Sequence, residues 1–264
     1  MANGERKLLN PEQVANLKQA LTANQEELFQ LLLSTDLEMV GVLLKNPHLT
    51  EDHILTLLKR RDLSDTLLKR IYQRYSKNLS HRLILALVKN PNTPGAIMRN
   101  LLPHLRLFEL VDLCFLPGIT PDQKMAAERG ILLRLPVTPL GSKMTLARRA
   151  TAAVVGELLK EGHSTLVEIC LNSPRITEAS VFQFINSPKA NAATLSLIAR
   201  NSRWKSRPNL QLAILKNRKT PPVWFTLWVP RLAVHTANQL LANRRLTATQ
   251  KRAIQDAMSR RKKF

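Results

Sequence analysis

One local pattern recurs along the chain and constrains its fold more than any other feature. An apolar run ends, a short kinked segment follows, and a Thr or Ser opens the next apolar run. The clear examples are LLKNPHLTED (43–52), LVKNPNTPGA (87–96), FLPGITPDQ (115–123), RLPVTPLG (134–141), LNSPRITEA (171–179), LKNRKTPPV (215–223) and LANRRLTATQ (241–250). Because the runs between the turns are dominated by Leu and Ala, which favour helices, the pattern predicts short helices joined by repeated turns.

Each position of the turn has an expected role at a helix end. Asn tolerates the left-handed conformation that closes a helix, and a following Pro cannot continue one. The Thr hydroxyl is expected to cap the next helix, with Pro favoured just after it and Gln three residues on. The asparagines are Asn46, Asn90, Asn217 and Asn243; the threonines are Thr50, Thr93, Thr120, Thr138, Thr177, Thr220 and Thr247; the glutamines are Gln123 and Gln250.

The spacing of these turns predicts an α-solenoid, that is, an all-α superhelix of short helix pairs. The interval from Thr93 to Thr120 and that from Thr220 to Thr247 each fit one pair, and shorter intervals fit one helix. A unit of about 26–30 residues made of two short helices is typical of solenoids. A longer interval contains residues 144–162, which we expect to form one long helix ended by Gly162.

The turn pattern and the charge distribution predict three segments. Residues 1–35, with a helix start at Asn10, are expected to form an N-terminal helical cap. Residues 36–258 are expected to form an irregular repeat array that is most basic from residue 198, and residues 259–264 a basic tail. Only 8 Gly and 5% aromatic residues argue against a β-sandwich or barrel.

The segment ALVKNPNTPGAIMRNLL (86–102) resembles the unit of leucine-rich-repeat-variant proteins, whose hallmark is an Asn-Pro-Asn-Thr-Pro turn between short helices. Residues 40–58 and 212–227 are similar but looser. The resemblance implies a right-handed helical superhelix akin to HEAT arrays, in a group associated with binding more than with catalysis.

The charge is large and uneven. The chain has 40 Lys and Arg against 19 Asp and Glu, a net charge of +21. Residues 1–62 carry −2, residues 63–197 carry +8, and residues 198–264 carry +15 with Asp256 as the one acid. Such an excess predicts an anionic partner, most simply nucleic acid. An anionic lipid surface is a lesser expectation, because the block lacks an amphipathic helix with a basic face.

The candidate nucleic-acid-binding residues lie in this last block. Turns KNRK (216–219) and NRR (243–245) are expected to align along one edge and contact phosphates, while Trp204 is a candidate for stacking on a base. Trp224 and Trp228, spaced four residues apart, are expected in the core. The full set is Arg200, Arg203, Trp204, Lys205, Arg207, Lys216, Arg218, Lys219, Arg244, Arg245, Lys251 and Arg252.

No reaction centre is evident in the sequence. The six histidines show no metal-ligand spacing, no phosphate-binding glycine motif occurs, and we expect no metal or cofactor. Cys114 and Cys170 are expected to be buried, reduced thiols. His48 and His53, on either side of Thr50, are expected at the surface. The N-terminus lacks a signal peptide and no stretch is long and apolar enough to span a membrane, so the expected location is the cytoplasm.

Two alternatives remain open. The first is a protein-interaction scaffold that binds an acidic partner through the less basic N-terminal part. The second is a DNA glycosylase built from HEAT-like helix pairs, whose chemistry would need a groove acid. The acids that could serve are Glu109, Asp112, Glu157, Glu168 and Asp256.

Overall fold

A computed structural model of the protein describes residues 11–33 and 37–261. Over these residues the chain is helical and contains no strand, which confirms the all-α prediction. The chain forms two compact units, Met1–Gly130 and Ile131–Phe264. The turn pattern of the sequence did not predict this division.

The first unit is a series of short helices. In order they are α1 (Pro11–Thr22), α2 (Gln25–Leu31), α3 (Leu37–Leu43), α4 (Glu51–Leu57), α5 (Asp65–Tyr75), α6 (His81–Lys89), α7 (Gly95–Leu101) and α8 (Leu107–Leu113). A short 3-10 helix, Leu102–His104, follows α7, and α9 (Pro121–Arg134) begins in the first unit and ends in the second.

The second unit has the same kind of construction. After a 3-10 helix at Leu135–Val137 come α10 (Leu140–Arg149), α11 (Ala152–Lys160), α12 (Ser164–Leu171), α13 (Glu178–Ile185), α14 (Ala192–Arg200), α15 (Pro208–Lys216) and α16 (Pro222–Trp228). A third 3-10 helix at Val229–Arg231 precedes α17 (Val234–Ala242) and α18 (Ala248–Arg261).

Within each unit a helix packs against its next-but-one neighbour. In the first unit α2 packs on α4 and α4 on α6; in the second α11 packs on α13, α13 on α15, and α12 on α14. The surfaces between them bury Leu, Ile and Val, with Phe184 and Phe225 as the largest fully buried side chains. Burial of this apolar area is the main stabilising contribution to each unit.

The two units repeat one pattern at a constant offset of 127 residues. Helices α4, α6, α7 and α9 begin at residues 51, 81, 95 and 121, and α13, α15, α16 and α18 begin at 178, 208, 222 and 248. Helices α6 and α15 are each nine residues long, and α9 and α18 are each fourteen. Over 81–134 and 208–261, 15 of 54 equivalent positions carry the same residue. The chain is therefore an internal duplication without insertions over this region.

The hydrogen bonds of the turns repeat at the same offset. The Asn90 side chain donates from Nδ2 to the carbonyl of Leu58 at 3.0 Å, and its equivalent Asn217 donates to Ile185 at 2.7 Å. Gln123 and Gln250 likewise donate to equivalent carbonyls of the preceding repeated turns, at 3.1 Å to Asn90 and 3.3 Å to Asn217. The agreement shows that the duplication extends from helix bounds to side-chain geometry.

The structure corrects two expected roles in the turns. Asn90 and Asn217 have extended backbones, with φ of −77° and −85°, and no non-glycine residue in the described segments has a positive φ. The prediction of a left-handed conformation for the turn asparagines was therefore wrong. Thr93 and Thr220 do not cap the following helix; each hydroxyl donates back to a carbonyl of the preceding helix. Thr138 behaves similarly towards Arg134. The side chain of Asn, rather than its backbone, holds the turn.

Other caps were predicted correctly. The capping boxes of Thr120 with Gln123 and of Thr247 with Gln250 are both formed, with backbone-to-side-chain distances of 2.9–3.2 Å. Thr177 accepts from the Ser180 amide at 3.2 Å. The capping role therefore holds where the Thr directly precedes the first turn of its helix, as it does at these three positions.

The prediction of one long helix over residues 144–162 was wrong. Helix α10 ends at Arg149 and α11 starts at Ala152, because Thr151 is extended (φ −69°, ψ 164°) and interrupts the helix. Its equivalent in the first unit is Asn24, which caps α2. Gly162 does follow the end of α11, with a φ of +76° that favours glycine.

The N-terminal segment is part of the repeat. Helices α1 and α2 occupy the positions equivalent to α10 and α11, so residues 11–33 form the first helix pair of their unit. The expected helix start at Asn10 lies outside the described residues, as do residues 262–264 of the expected basic tail.

His53 was expected at the surface, but its side chain is buried and only 1% exposed. Its ring forms hydrogen bonds with Thr50 and with the carbonyl of Gln25.

Candidate nucleic-acid interface

The turn between α15 and α16 uses Lys219 as a structural donor. The Asn217 side chain accepts from the Lys219 amide at 2.8 Å, and Lys219 Nζ donates to the carbonyls of Pro188 at 2.7 Å and Ala190 at 2.8 Å. In the first unit the equivalent Asn92 donates from its amide to Arg61 at 2.7 Å and Leu63 at 3.0 Å. The ammonium of Lys219 thus replaces an amide that holds the same two carbonyls.

The start of α18 docks on this turn. Gln250 Nε2 donates to the carbonyls of Asn217, Arg218 and Thr220 at 3.3, 3.1 and 2.8 Å. The turn that precedes α18 is closed by the Asn243 side chain, which accepts from the Arg245 amide at 2.9 Å. The 217–220 and 243–250 segments therefore lie side by side.

This juxtaposition groups six of the predicted cations. Five are exposed and Lys251 is half-buried, and no ion pair engages any of the six in the described part of the chain. We call these residues the turn cluster: Lys216, Arg218, Arg244, Arg245, Lys251 and Arg252. Their charges are free to attract an anion.

In the loop between α14 and α15, the position of Trp204 shows that its predicted role was wrong. Trp204 is 2% exposed and its indole N–H donates to the carbonyl of Leu171 at 3.0 Å, so its ring cannot stack on a base. Arg203 lies over that ring at 4.5 Å and donates to the carbonyls of Ser173 and Ile176 at 2.8 and 3.2 Å. Both side chains anchor the loop to the preceding turn. Trp224 and Trp228, in contrast, are buried as predicted.

The remaining cations of this loop are Arg200, Lys205 and Arg207, all exposed. Arg207 Nε lies 3.9 Å from Glu178, in the place of the bond that Ser80 makes to Glu51 in the first unit. The loop lies before α15 and the 217–220 turn lies after α15. The nine residues of α15 therefore separate the loop from the turn by about 13 Å, at 1.5 Å per residue. The structure therefore divides the predicted residues into two groups.

The duplication shows that the fold does not require these charges. The first unit has 17 Lys and Arg against 14 Asp and Glu, and the second has 23 against 5, which gives net charges of +3 and +18. Of the eleven predicted cations, nine replace an uncharged residue of the first unit. Those residues are Gln73, Ser76, Asn78, Ser80, Pro91, Asn92, Pro117, Gly118 and Met125.

Among the acids considered for catalysis, Glu109 is engaged by two hydrogen bonds. Glu109 accepts from His81 at 2.7 Å and from the Arg106 amide at 2.6 Å. Burial acts to raise the pKa of Glu109, but these hydrogen bonds outweigh it and hold the pKa below its ordinary value. Asp256 is exposed on α18. Glu109 is thus a bound, ionised carboxylate.

The cysteines are buried and unpaired, as predicted. Burial raises the pKa of Cys114 to about 11 and that of Cys170 to about 12, so both thiols stay protonated at neutral pH. Among the described residues, no group of His, Cys, Asp and Glu could hold a metal ion. No described helix has the length and apolar character that a membrane span requires.

The arrangement presents cations without an ion-pair partner, within the described residues, on turns closed by hydrogen bonds. Comparison with known proteins adds no assignment: no family model, no curated protein and no solved structure matches this chain.

Proposed function

We propose that this chain is a non-enzymatic nucleic-acid-binding protein that contacts the phosphate backbone through the turn cluster of its second unit. One observation carries the proposal: a scaffold that occurs twice has a net charge of +3 in one copy and +18 in the other. Since equivalent helices start at the same offset and equivalent turn bonds form in both units, most of the added charge is not needed for folding. Nucleic acid is the common polyanion that such a surface attracts.

The proposal includes the architecture. We infer that each unit is a short α-solenoid of the HEAT or leucine-rich-repeat-variant kind. Packing between next-but-one helices supports this inference, because stacked helix pairs place equivalent helices side by side. In such an array the turns form continuous edges, and the turn cluster would occupy one of them.

The test is the salt dependence of binding to a labelled oligonucleotide. If the six cations of the turn cluster each meet a phosphate, the slope of log K against log salt is about −4 for a single strand, at roughly 0.7 per contact. A variant with Arg218→Pro, Lys219→Asn, Arg244→Ala and Arg245→Ala removes three of these six contacts. Its slope should fall to about −2.

The design preserves the turn. Pro and Asn are the residues that the first unit has at the positions of Arg218 and Lys219, so the carbonyl bonds of the turn are retained. A control variant removes four exposed cations of the first unit: Lys69, Lys77, Arg99 and Lys124, each changed to Ala. It has the same net charge. Equal loss of affinity in both variants would overturn the assignment to the turn cluster.

A protein-interaction scaffold is the second candidate. The observation that favours it is the nearly balanced charge of the first unit, whose surface has no excess of either sign to select a polyanion. It predicts an acidic protein partner that is retained after nuclease treatment, together with no salt-dependent binding of oligonucleotides.

A further inference from the structure

Each unit contains one groove at the same place in the repeat. In the second unit α13 and α15 form its walls, and it encloses about 690 Å³; in the first unit α4 and α6 form the walls of a groove of about 860 Å³. Eight of the nine residues that line the second groove are equivalent to residues that line the first. Both volumes are in the range of ordinary ligand sites.

The second groove presents one aromatic ring and several amides. Phe182 is 44% exposed and lies on α13. Gln183 follows it, and Asn209 faces them from α15; in the described part of the chain no hydrogen bond engages the amide of either residue. The groove therefore presents an aromatic face together with amide groups that no partner among the described residues occupies.

Cations lie at both ends of this groove. Lys216, at the end of α15, is a lining residue and belongs to the turn cluster. Arg207, directly before α15, lies 3.9 Å from Glu178 at the opposite end. The distance along α15 between them is about 13 Å, which leaves room for a short run of bases.

The first groove has other residues at the positions equivalent to Phe182, Gln183 and Asn209. Leu55 occupies the position equivalent to Phe182. Arg82 and Asp52 form an ion pair at 3.0 Å between the two walls of the groove. Asn209 and Ala179 take their places in the second unit. Two further arginines of the first groove are also engaged, Arg60 with Asp62 and Arg61 with the carbonyl of Pro117.

We propose that the groove between α13 and α15 binds the unpaired bases of a single-stranded nucleic acid, with Phe182 stacking on a base and the amides of Gln183 and Asn209 meeting base edges. Aromatic stacking beside a basic track is how proteins bind single strands. Amide side chains meet the base edges that an unpaired strand exposes. A duplex conceals both the faces and the pairing edges of its bases. This inference rests on the proposed function and adds the ligand class to it.

The test uses fluorescein-labelled 20-nucleotide single strands of RNA and of DNA with one mixed sequence, and the corresponding DNA duplex. Phe182→Leu introduces the residue of the first unit, so the fold should tolerate it. We expect the affinity for single strands to fall about tenfold and the affinity for the duplex to stay unchanged. Comparison of the RNA and DNA strands shows whether the sugar contributes.

Phe29→Leu is the matched control. Phe29 is 41% exposed and lines the first groove, so the same substitution is made in the groove that lacks the proposed site. It should leave single-strand affinity unchanged. An equal loss in Phe29→Leu and Phe182→Leu would overturn the proposal.

A second variant tests the groove by filling it. Ala179→Asp with Asn209→Arg recreates the ion pair of the first groove and conserves net charge. We expect it to lower single-strand affinity at least as much as Phe182→Leu, with no effect on the duplex. If both variants bind single strands like the wild type while the turn-cluster variant does not, the groove assignment fails and the proposed function stands. If the wild type binds none of the three probes, the proposed function itself fails.

Discussion

Lys219 allows a structural charge to be separated from a functional one. Its ammonium donates two hydrogen bonds, at 2.7 Å to Pro188 and 2.8 Å to Ala190, and so ties the α15–α16 turn to the preceding turn. Lys219→Ala removes both bonds and leaves the two carbonyls without this donor. Net contributions of hydrogen bonds to charged groups are about 1.5–3 kcal/mol each when buried. Since the Lys219 side chain is exposed, screening by solvent reduces the expected loss to about 1–2 kcal/mol in total.

Lys219→Asn is the decisive comparison, because it removes the same charge. In the first unit Asn92 bonds to the two equivalent carbonyls, so Asn should restore most of the stability. We expect the free energy of unfolding of Lys219→Asn to lie within about 0.5 kcal/mol of the wild-type value. The measurement is urea unfolding followed by tryptophan fluorescence, which reports on the second unit because all three tryptophans lie there.

Lys216→Ala serves as a control, since Lys216 is exposed and makes no bond within the described residues. It should leave the unfolding curve unchanged. If Lys219→Asn were as unstable as Lys219→Ala, the equivalence of the amide and the ammonium would be refuted. If neither variant lost stability, the two bonds would contribute nothing measurable.

Two further predictions concern buried positions. Trp204→Phe removes the indole donor to Leu171 and part of a buried ring; we expect a loss of about 1–3 kcal/mol in urea unfolding with unchanged oligonucleotide affinity. A drop in affinity at full stability would contradict its core position. Ser173→Asn should stabilise the second unit by about 1 kcal/mol, because the buried Ser173 hydroxyl lacks a partner in the described residues whereas the equivalent Asn46 donates to two carbonyls, those of Ala20 and Ala23. Calorimetry would detect the change, and a lower melting temperature would contradict it.

The sequence predicted several helix starts correctly because the residues that determine a helix start lie close together in the chain. A Thr with Gln three residues later contains both partners of a capping box, and the boxes at Thr120 and Thr247 are formed as expected. Thr93 and Thr220 are followed three residues later by Ala96 and Val223, so they lack the glutamine of a capping box, and their hydroxyls bond back to the preceding helix. There the proline after the Thr is the cap residue, and the helix starts one residue later.

The 127-residue duplication was not predicted. The short turn recurs so often that it conceals a longer period, and most equivalent positions differ in residue. The equivalence becomes evident from helix bounds and from bonds such as that of Asn217 to Ile185, which connect residues about thirty positions apart. No pattern within one turn contains this information.

The candidate site was predicted as a set of cations, and the structure gives them different roles. Arg203 and Lys219 donate to carbonyls of an earlier turn, while Arg218 and Arg244 stay free. Sequence alone cannot distinguish these cases, because the acceptors are backbone oxygens whose positions depend on packing. Trp204 was ambiguous for the same reason.

Asn92 and Lys219, each the second residue after a turn asparagine, have a consequence for how such a surface can change over time. At both positions a side-chain donor reaches two carbonyls, from an amide in Asn92 and from an ammonium in Lys219. A chain can therefore gain or lose a positive charge there while its backbone stays in place. Positions of this kind let a repeated scaffold acquire a new electrostatic character without a new fold, and the two units of this chain differ in this way at residues 92 and 219.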